Sequence, residues 1–152
     1  MNEPCKDAGK FLESVFEGSG LDLRVSLRED PAQCVLDLDG PDAELLQAQG
    51  GELLEALQHL VNQACGRLLP KGQRLVCDVH SFRATREGEL RAMANHAAER
   101  VRATGVEFIF GPMSANERRI IHLTLADLSD LYTESVGEGA ERKLRVGRKL
   151  PA

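Results

Sequence analysis

"PMSANERRIIHLTLADLSDLYTESVGEGAERKLRV", residues 112–146, holds the densest pattern in the chain. Ser114 followed three residues later by Glu117 reads as a capping box: Ser114 caps a helix and the Glu117 side chain reciprocates. The helix so started runs through "RRIIHLTLADL", with Ile120, Ile121, Leu123 and Leu125 supplying an apolar face. "LYTESVGEG" and "RKLRVGRK" then read as a strand pair around a Gly-rich turn. Arg118 and His122 stand four residues apart, so their side chains share a face. Both lie in the first two turns, where free backbone N–H groups and the helix dipole favour an anion. Arg119 adds a further cation, and Asn116 stands beside them. Arginine offers a planar fork and histidine a donor near neutral pH, a combination suited to phosphate. The same spacing is also satisfied by a packing histidine flanked by solvated arginines. Further on, Arg142, Lys143, Arg145, Arg148 and Lys149 crowd the tail. On a strand Lys143 and Arg145 point the same way. With Arg118 they are expected to form one positive strip; a charged, solvated edge strand is the other reading.

Upstream, "TREGELRAMANHAAERVRATG" predicts a long helix with Leu90, Met93, Ala94, Ala97 and Val101 inward and Gly105 closing it. "VEFIF" is a strand. Towards the N-terminus, Phe11, Leu12, Val15 and Phe16 share a helical face. "LDLRVSL" and "QCVLDLD" read as hairpin strands, and "DAELLQAQ" as a short helix running into Gly50-Gly51. "ELLEALQHLVNQACGRLL" is a helix whose stripe is read as Leu53, Leu57, Leu60, Val61, Ala64 and Leu68. "RLVCDVHSF" is a third strand. The first half is therefore ordered α-β-β-α-α-β. A second unit begins near Phe82, which gives domains of 1–82 and 83–152 that are expected to be close-packed. The fold class is α+β.

The net charge of −5 conceals an asymmetry. Residues 1–65 carry 4 basic and 13 acidic side chains, whereas residues 66–152 carry 15 basic and 11 acidic. The second unit is the candidate for a polyanion. Cys5, Cys34, Cys65 and Cys77 show no C-x-x-C and no histidine at ligand spacing, so buried reduced thiols are expected, with no metal and no cofactor. No apolar run is long enough to span a membrane, and the N-terminus lacks a signal pattern, so a cytoplasmic protein is expected. Without Trp and with Tyr132 alone, stacking platforms are scarce, and recognition should rest on backbone contacts. His59, His80 and His96 fall on separate elements. No orienting acid or G-x-S-x-G turn supports a nucleophile, which argues against an enzyme.

The C-terminal motif is Pro112-Met113, Asn116-Glu117-Arg118-Arg119, His122, Thr133-Glu134-Ser135 and Gly137-Glu138. It resembles the R-3-H domain, a single-stranded nucleic-acid-binding module named for its Arg-x-x-x-His. From about residue 10 to residue 150 the chain is similar to the bacterial SpoIIIJ-associated (Jag) family, which joins a type II KH domain to that module. The resemblance implies an RNA-binding protein that grips the backbone of single-stranded RNA, or of single-stranded DNA, mainly through Arg118, His122, Arg119, Asn116, Arg142, Lys143 and Arg145. It also implies regulation after transcription or of cell elongation and division, a small KH-domain partner protein, and a link to a membrane insertase. The additional N-terminal domain that many members carry is expected to be absent. A KH domain lays nucleic acid on a G-x-x-G loop. Here the matching positions are Ala48-Gln49-Gly50-Gly51, with alanine for the first glycine and no basic residue. Gln49, Gly50 and Gly51 therefore stand as candidate contacts in a degenerate loop. The alternative function is a protein-interaction adaptor whose KH unit no longer binds RNA.

Overall fold

The computed structural model describes residues 1–150. It divides into two compact units, Met1–Arg83 and Ala84–Ala152. Both are mixed α and β, as the α+β reading expects.

The first unit runs α1 (Glu3–Ser19), β1 (Arg24–Glu29), β2 (Gln33–Asp39), α2 (Ala43–Gln47), α3 (Glu52–Cys65) and β3 (Arg74–Val79). This is the order α-β-β-α-α-β. Asn2 caps α1, its side chain accepting from the Cys5 amide at 2.8 Å, and Gly20 closes that helix in the left-handed region. The sheet has the order β1-β2-β3, with β1 antiparallel and β3 parallel to β2. Alternate residues of each strand face the helices, so Leu36, Leu38, Cys77 and Val79 meet Leu12 of α1 and Val61 of α3 in one apolar core.

Helix α3 corrects the expected stripe. Leu54, Leu57, Val61 and Cys65 are buried, whereas Leu60, Ala64 and Leu68 are exposed and Leu53 is only half-buried. The face is rotated by about one position, because a leucine at almost every turn lets two neighbouring stripes score alike. Polar anchors then decide the rotation. The Gln58 amide donates to the Leu75 carbonyl at 2.8 Å and accepts from the Cys77 amide at 2.7 Å.

The expectation of four reduced thiols is also corrected. Cys5 and Cys34 form a disulfide between α1 and β2, whereas Cys65 and Cys77 are free and buried. Cys5 stands one turn into α1 and Cys34 points to the core side of β2, so two cysteines 29 positions apart in sequence meet across the layer. No spacing motif announces such a pairing. Burial pushes the Cys77 thiol up to about 12.

The loop Ala48-Gln49-Gly50-Gly51 has a mixed geometry. Ala48 has φ −64°, which costs alanine nothing. Gln49 sits at φ 53° and Gly50 at φ 68°. Gly51, at φ 86°, begins α3, and a Cβ there would lie 2.5 Å from the Phe82 ring. Gly51 is thus demanded by both its backbone angle and its packing.

The second unit contains the remainder of α4 (Phe82–Thr104), then β4 (Phe108–Ile109), α5 (Ala115–Leu125), β5 (Leu131–Val136) and β6 (Lys143–Arg148). Its sheet is fully antiparallel, in the order β4-β6-β5. Leu90, Ala94, Ala97, Ala98 and Val101 of α4 pack with Ile121 and Leu125 of α5 and with Leu144 and Val146 of β6. Met93, expected inward, is exposed; Ala98 takes the buried place. Small residues let α4 approach closely, and a longer side chain is left at the margin.

Two outcomes are expected. Alkylation of the unfolded, unreduced protein should modify two cysteines, with peptide mapping placing the labels on Cys65 and Cys77; labels on all four would refute the bridge. Gly51→Ala should lower stability by about 2–4 kcal/mol, from the left-handed backbone and the overpacked ring together. Gly18→Ala, whose added carbon meets nothing, should not lower it in the same denaturant titration.

Candidate nucleic-acid interface

Helix α5 starts where the sequence places it. The Ser114 hydroxyl accepts from the Glu117 amide at 3.2 Å, and the Ser114 carbonyl accepts from the Arg118 amide at 3.0 Å. The second half of the expected capping box is absent among the described residues. The Glu117 carboxylate instead accepts from Arg86 Nε at 2.8 Å and is almost fully buried. Arg86 reaches Glu89 as well, at 3.1 Å. The hydrogen bond from Arg86 to Glu117, opposed by burial, raises the Arg86 pKa. The only acid in the first turn of α5 is therefore compensated, and the helix entrance keeps its positive character.

Arg118 is half-buried, and its guanidinium donates to the Met113 carbonyl at 2.7 Å. That bond fixes the fork and leaves its other N–H groups free. His122, one turn on, meets the Thr133 hydroxyl through Nδ1. An anion favours the tautomer in which Thr133 donates to Nδ1 and Nε2 carries the proton outward. Arg119 is exposed on the same entrance. Together Ala115, Arg118, Arg119, His122, Thr133, Ser135 and Leu144 line an open hollow of about 270 Å3. Among the described residues none of Arg118, Arg119 and His122 pairs with a carboxylate. Asn116 is exposed in the first turn of α5, beside the hollow's rim rather than in its lining.

The tail cations divide. In the β5–β6 ladder Thr133 opposes Val146 and Ser135 opposes Leu144. Since Leu144 and Val146 are core residues, Thr133 and Ser135 face α5, and Lys143 and Arg145 alternate to the other side. The single strip joining them to Arg118 therefore does not form. Arg145 is moreover held by Glu134, directly across the ladder, and lies 3.8 Å from Glu107. Arg142 precedes the strand. Its carbonyl accepts from the Met113 amide at 3.2 Å, which keeps it near the α5 entrance. Its guanidinium donates to the Gly137 carbonyl at 2.8 Å. Gln49 is exposed, Gly50 is half-buried and Gly51 is buried, and no cation lies in that tetrad.

Reading for charge alone passes over Thr133 and Ser135 as members of the site. The available signal was parity: alternate hydroxyl residues on the strand that follows the helix.

A model of the R-3-H domain matches residues 88–148. Most of the C-terminal unit is thus an R-3-H domain. Over 142 residues the chain is 30% identical to the RNA-binding protein KhpB of Clostridium symbiosum, covering 92% of this chain and 64% of that one. It is 28% identical over 149 residues to the RNA-binding protein KhpB of Bacillus subtilis, with 97% and 72% covered. A third relative, KhpB of Lactiplantibacillus plantarum, is 31% identical over 136 residues, 42% of its length. The chain thus spans about two thirds of the first two relatives and less than half of the third. The family match covers the α5 hollow, both β5 and β6, and most of α4.

Arg86 carries a specific expectation. Removing it in Arg86→Ala strands the buried Glu117 carboxylate, and stability should fall by about 2–3 kcal/mol, read by denaturant unfolding. Arg86→Ala combined with Glu117→Gln should recover part of that loss; equal losses in the single and double variants would show that the pair is not coupled.

Proposed function

We propose that the chain is a non-enzymatic RNA-binding protein whose R-3-H unit grips the backbone of single-stranded RNA at the α5 entrance. The carrying observation is the hollow itself: Arg118, Arg119 and His122, none paired with a carboxylate among the described residues, converge there with the Thr133 and Ser135 hydroxyls. Such a set suits a phosphodiester. The fixed Arg118 fork supplies paired donors, His122 Nε2 a further one, and the hydroxyls can donate to free phosphate oxygens. The helix N-terminus adds its dipole. The names of the KhpB relatives support RNA as the ligand. Backbone contact with few base contacts implies modest sequence preference and leaves room for single-stranded DNA as a competitor.

The first unit takes the smaller part. Its Ala48-Gln49-Gly50-Gly51 loop keeps an αL turn at Gln49 but offers no cation, and phosphate neutralisation dominates affinity. In this reading the KH-like unit orients the strand or docks protein. The family resemblance adds a regulatory role, a small KH-domain companion and a neighbouring membrane insertase. No helix of the described residues is long and apolar enough to cross a membrane.

Titration of single-stranded RNA at several salt concentrations tests the assignment. Arg118→Ala with His122→Ala should weaken binding by about tenfold or more. The salt slope should shrink by about 0.7, one cation's share for a single strand. Unchanged affinity in that double variant sinks the site.

A further inference from the structure

A second hollow lies at the far end of the β5–β6 pair. It measures about 850 Å3 and is lined by Gly105, Glu107, Tyr132, Arg148, Lys149 and Leu150. Three features give it chemistry. Arg148 and Lys149 are exposed, and among the described residues neither is paired with a carboxylate in an ion pair. Glu107, the acid in the lining, accepts from the Tyr132 hydroxyl at 2.6 Å and lies 3.8 Å from Arg145, so its charge is already engaged. The Tyr132 ring is held in place. Its hydroxyl is tied to Glu107, and the ring lies directly over Gly147, where a Cβ would come within 2.5 Å of it. Glycine at 147 is what lets the aromatic ring approach the strand this closely. Half-exposed and fixed at both ends, this sole tyrosine loses little freedom when something stacks on it.

We propose that this hollow is a second contact for single-stranded nucleic acid, in which Arg148 and Lys149 neutralise phosphate and the Tyr132 ring stacks against a base. The inference rests on the RNA-binding reading above and extends it to a site that shares no lining residue with the first. The register separates the two: Ser135 and Leu144 line the first hollow, whereas Leu131 opposite Arg148 marks the strand ends beside the second. Four residues of strand span about 13 Å. A single strand held at α5 must therefore run on past the first hollow to touch the second. Stacking on a ring is indifferent to base identity, so this contact adds length dependence to affinity rather than sequence preference.

The experiment is a titration of the full chain with a fluorescent single-stranded RNA dodecamer over a range of salt. Four variants are compared with the wild type: Arg148→Gln with Lys149→Gln, Tyr132→Leu, Arg118→Ala with His122→Ala, and, as a charge control, Arg67→Gln with Lys71→Gln. The first should reduce the salt slope by about 1.4, two cations' worth for a single strand. Tyr132→Leu should weaken binding roughly tenfold with the slope unchanged. The charge control should alter neither. A wild-type slope in the Arg148/Lys149 variant, wild-type affinity in Tyr132→Leu, or an equal fall in the charge control overturns the second contact. If the Arg118/His122 variant still loses affinity in that case, the first site stands and only this inference fails. If the wild-type chain binds no RNA, both readings fall together.

Discussion

The antiparallel register that sets Thr133 against Val146 and Ser135 against Leu144 determines which side chains helix α5 meets. One side of the ladder completes the core with Leu131, Leu144 and Val146 and, where the apolar residues give out, presents two hydroxyls to Arg118 and His122. The other side carries Tyr132, Glu134, Arg145 and Gly147. A slip of one residue would exchange these sets wholesale: hydroxyls would leave the hollow, and a glutamate would enter it opposite the arginines. The alternation therefore does more for the site than any single hydrogen bond. It is secured by the burial of Leu144 and Val146, each worth about 1.5–3 kcal/mol when removed from water.

Charge at the α5 entrance is arranged in a related way. An acid in the first turn stabilises a helix but would repel a phosphate. Glu117 keeps the first benefit while Arg86 cancels the second effect, from α4 and from beneath. Arg118 commits one donor to the Met113 carbonyl, which orients the rest. The result is a cationic rim whose geometry is set before any ligand arrives, so binding costs less side-chain entropy than free surface arginines would require.

Much of this was legible in the sequence, for identifiable reasons. Ser114 and the apolar spacing after it define α5, and Arg118 with His122 necessarily fall on one helical face. The α-β-β-α-α-β order follows from period-two and period-3.6 runs separated by Gly and Pro. What was not legible depends on contacts across the fold. Leu60 and Leu54 are equivalent to a periodicity count, and only Gln58, anchored on Leu75 and Cys77, distinguishes them. Met93 satisfies the stripe but loses its place to Ala98, because helix α4 is pressed against its neighbours. Glu117 matches a capping box, yet its carboxylate goes to an arginine 31 residues upstream. Arg145 counts as a cation in the sequence and is largely cancelled in the fold by Glu134 and Glu107, whereas Arg119 and Arg142 meet no acid among the described residues. The Cys5–Cys34 bridge joins two elements whose proximity is a property of the tertiary layer alone.

Gly51 has a consequence for how such chains are recognised. Its lack of a side chain is required by the Phe82 ring and by the entry into α3, whether or not a phosphate ever approaches. A glycine held by steric demand is accounted for without any ligand. Pattern searches keyed to that glycine would count this loop among functional ligand grips, although the neighbouring residues bring no positive charge to it. The informative position is the one after the motif's first residue, where the exposed Gln49 side chain answers to no packing neighbour and can report what the loop actually holds.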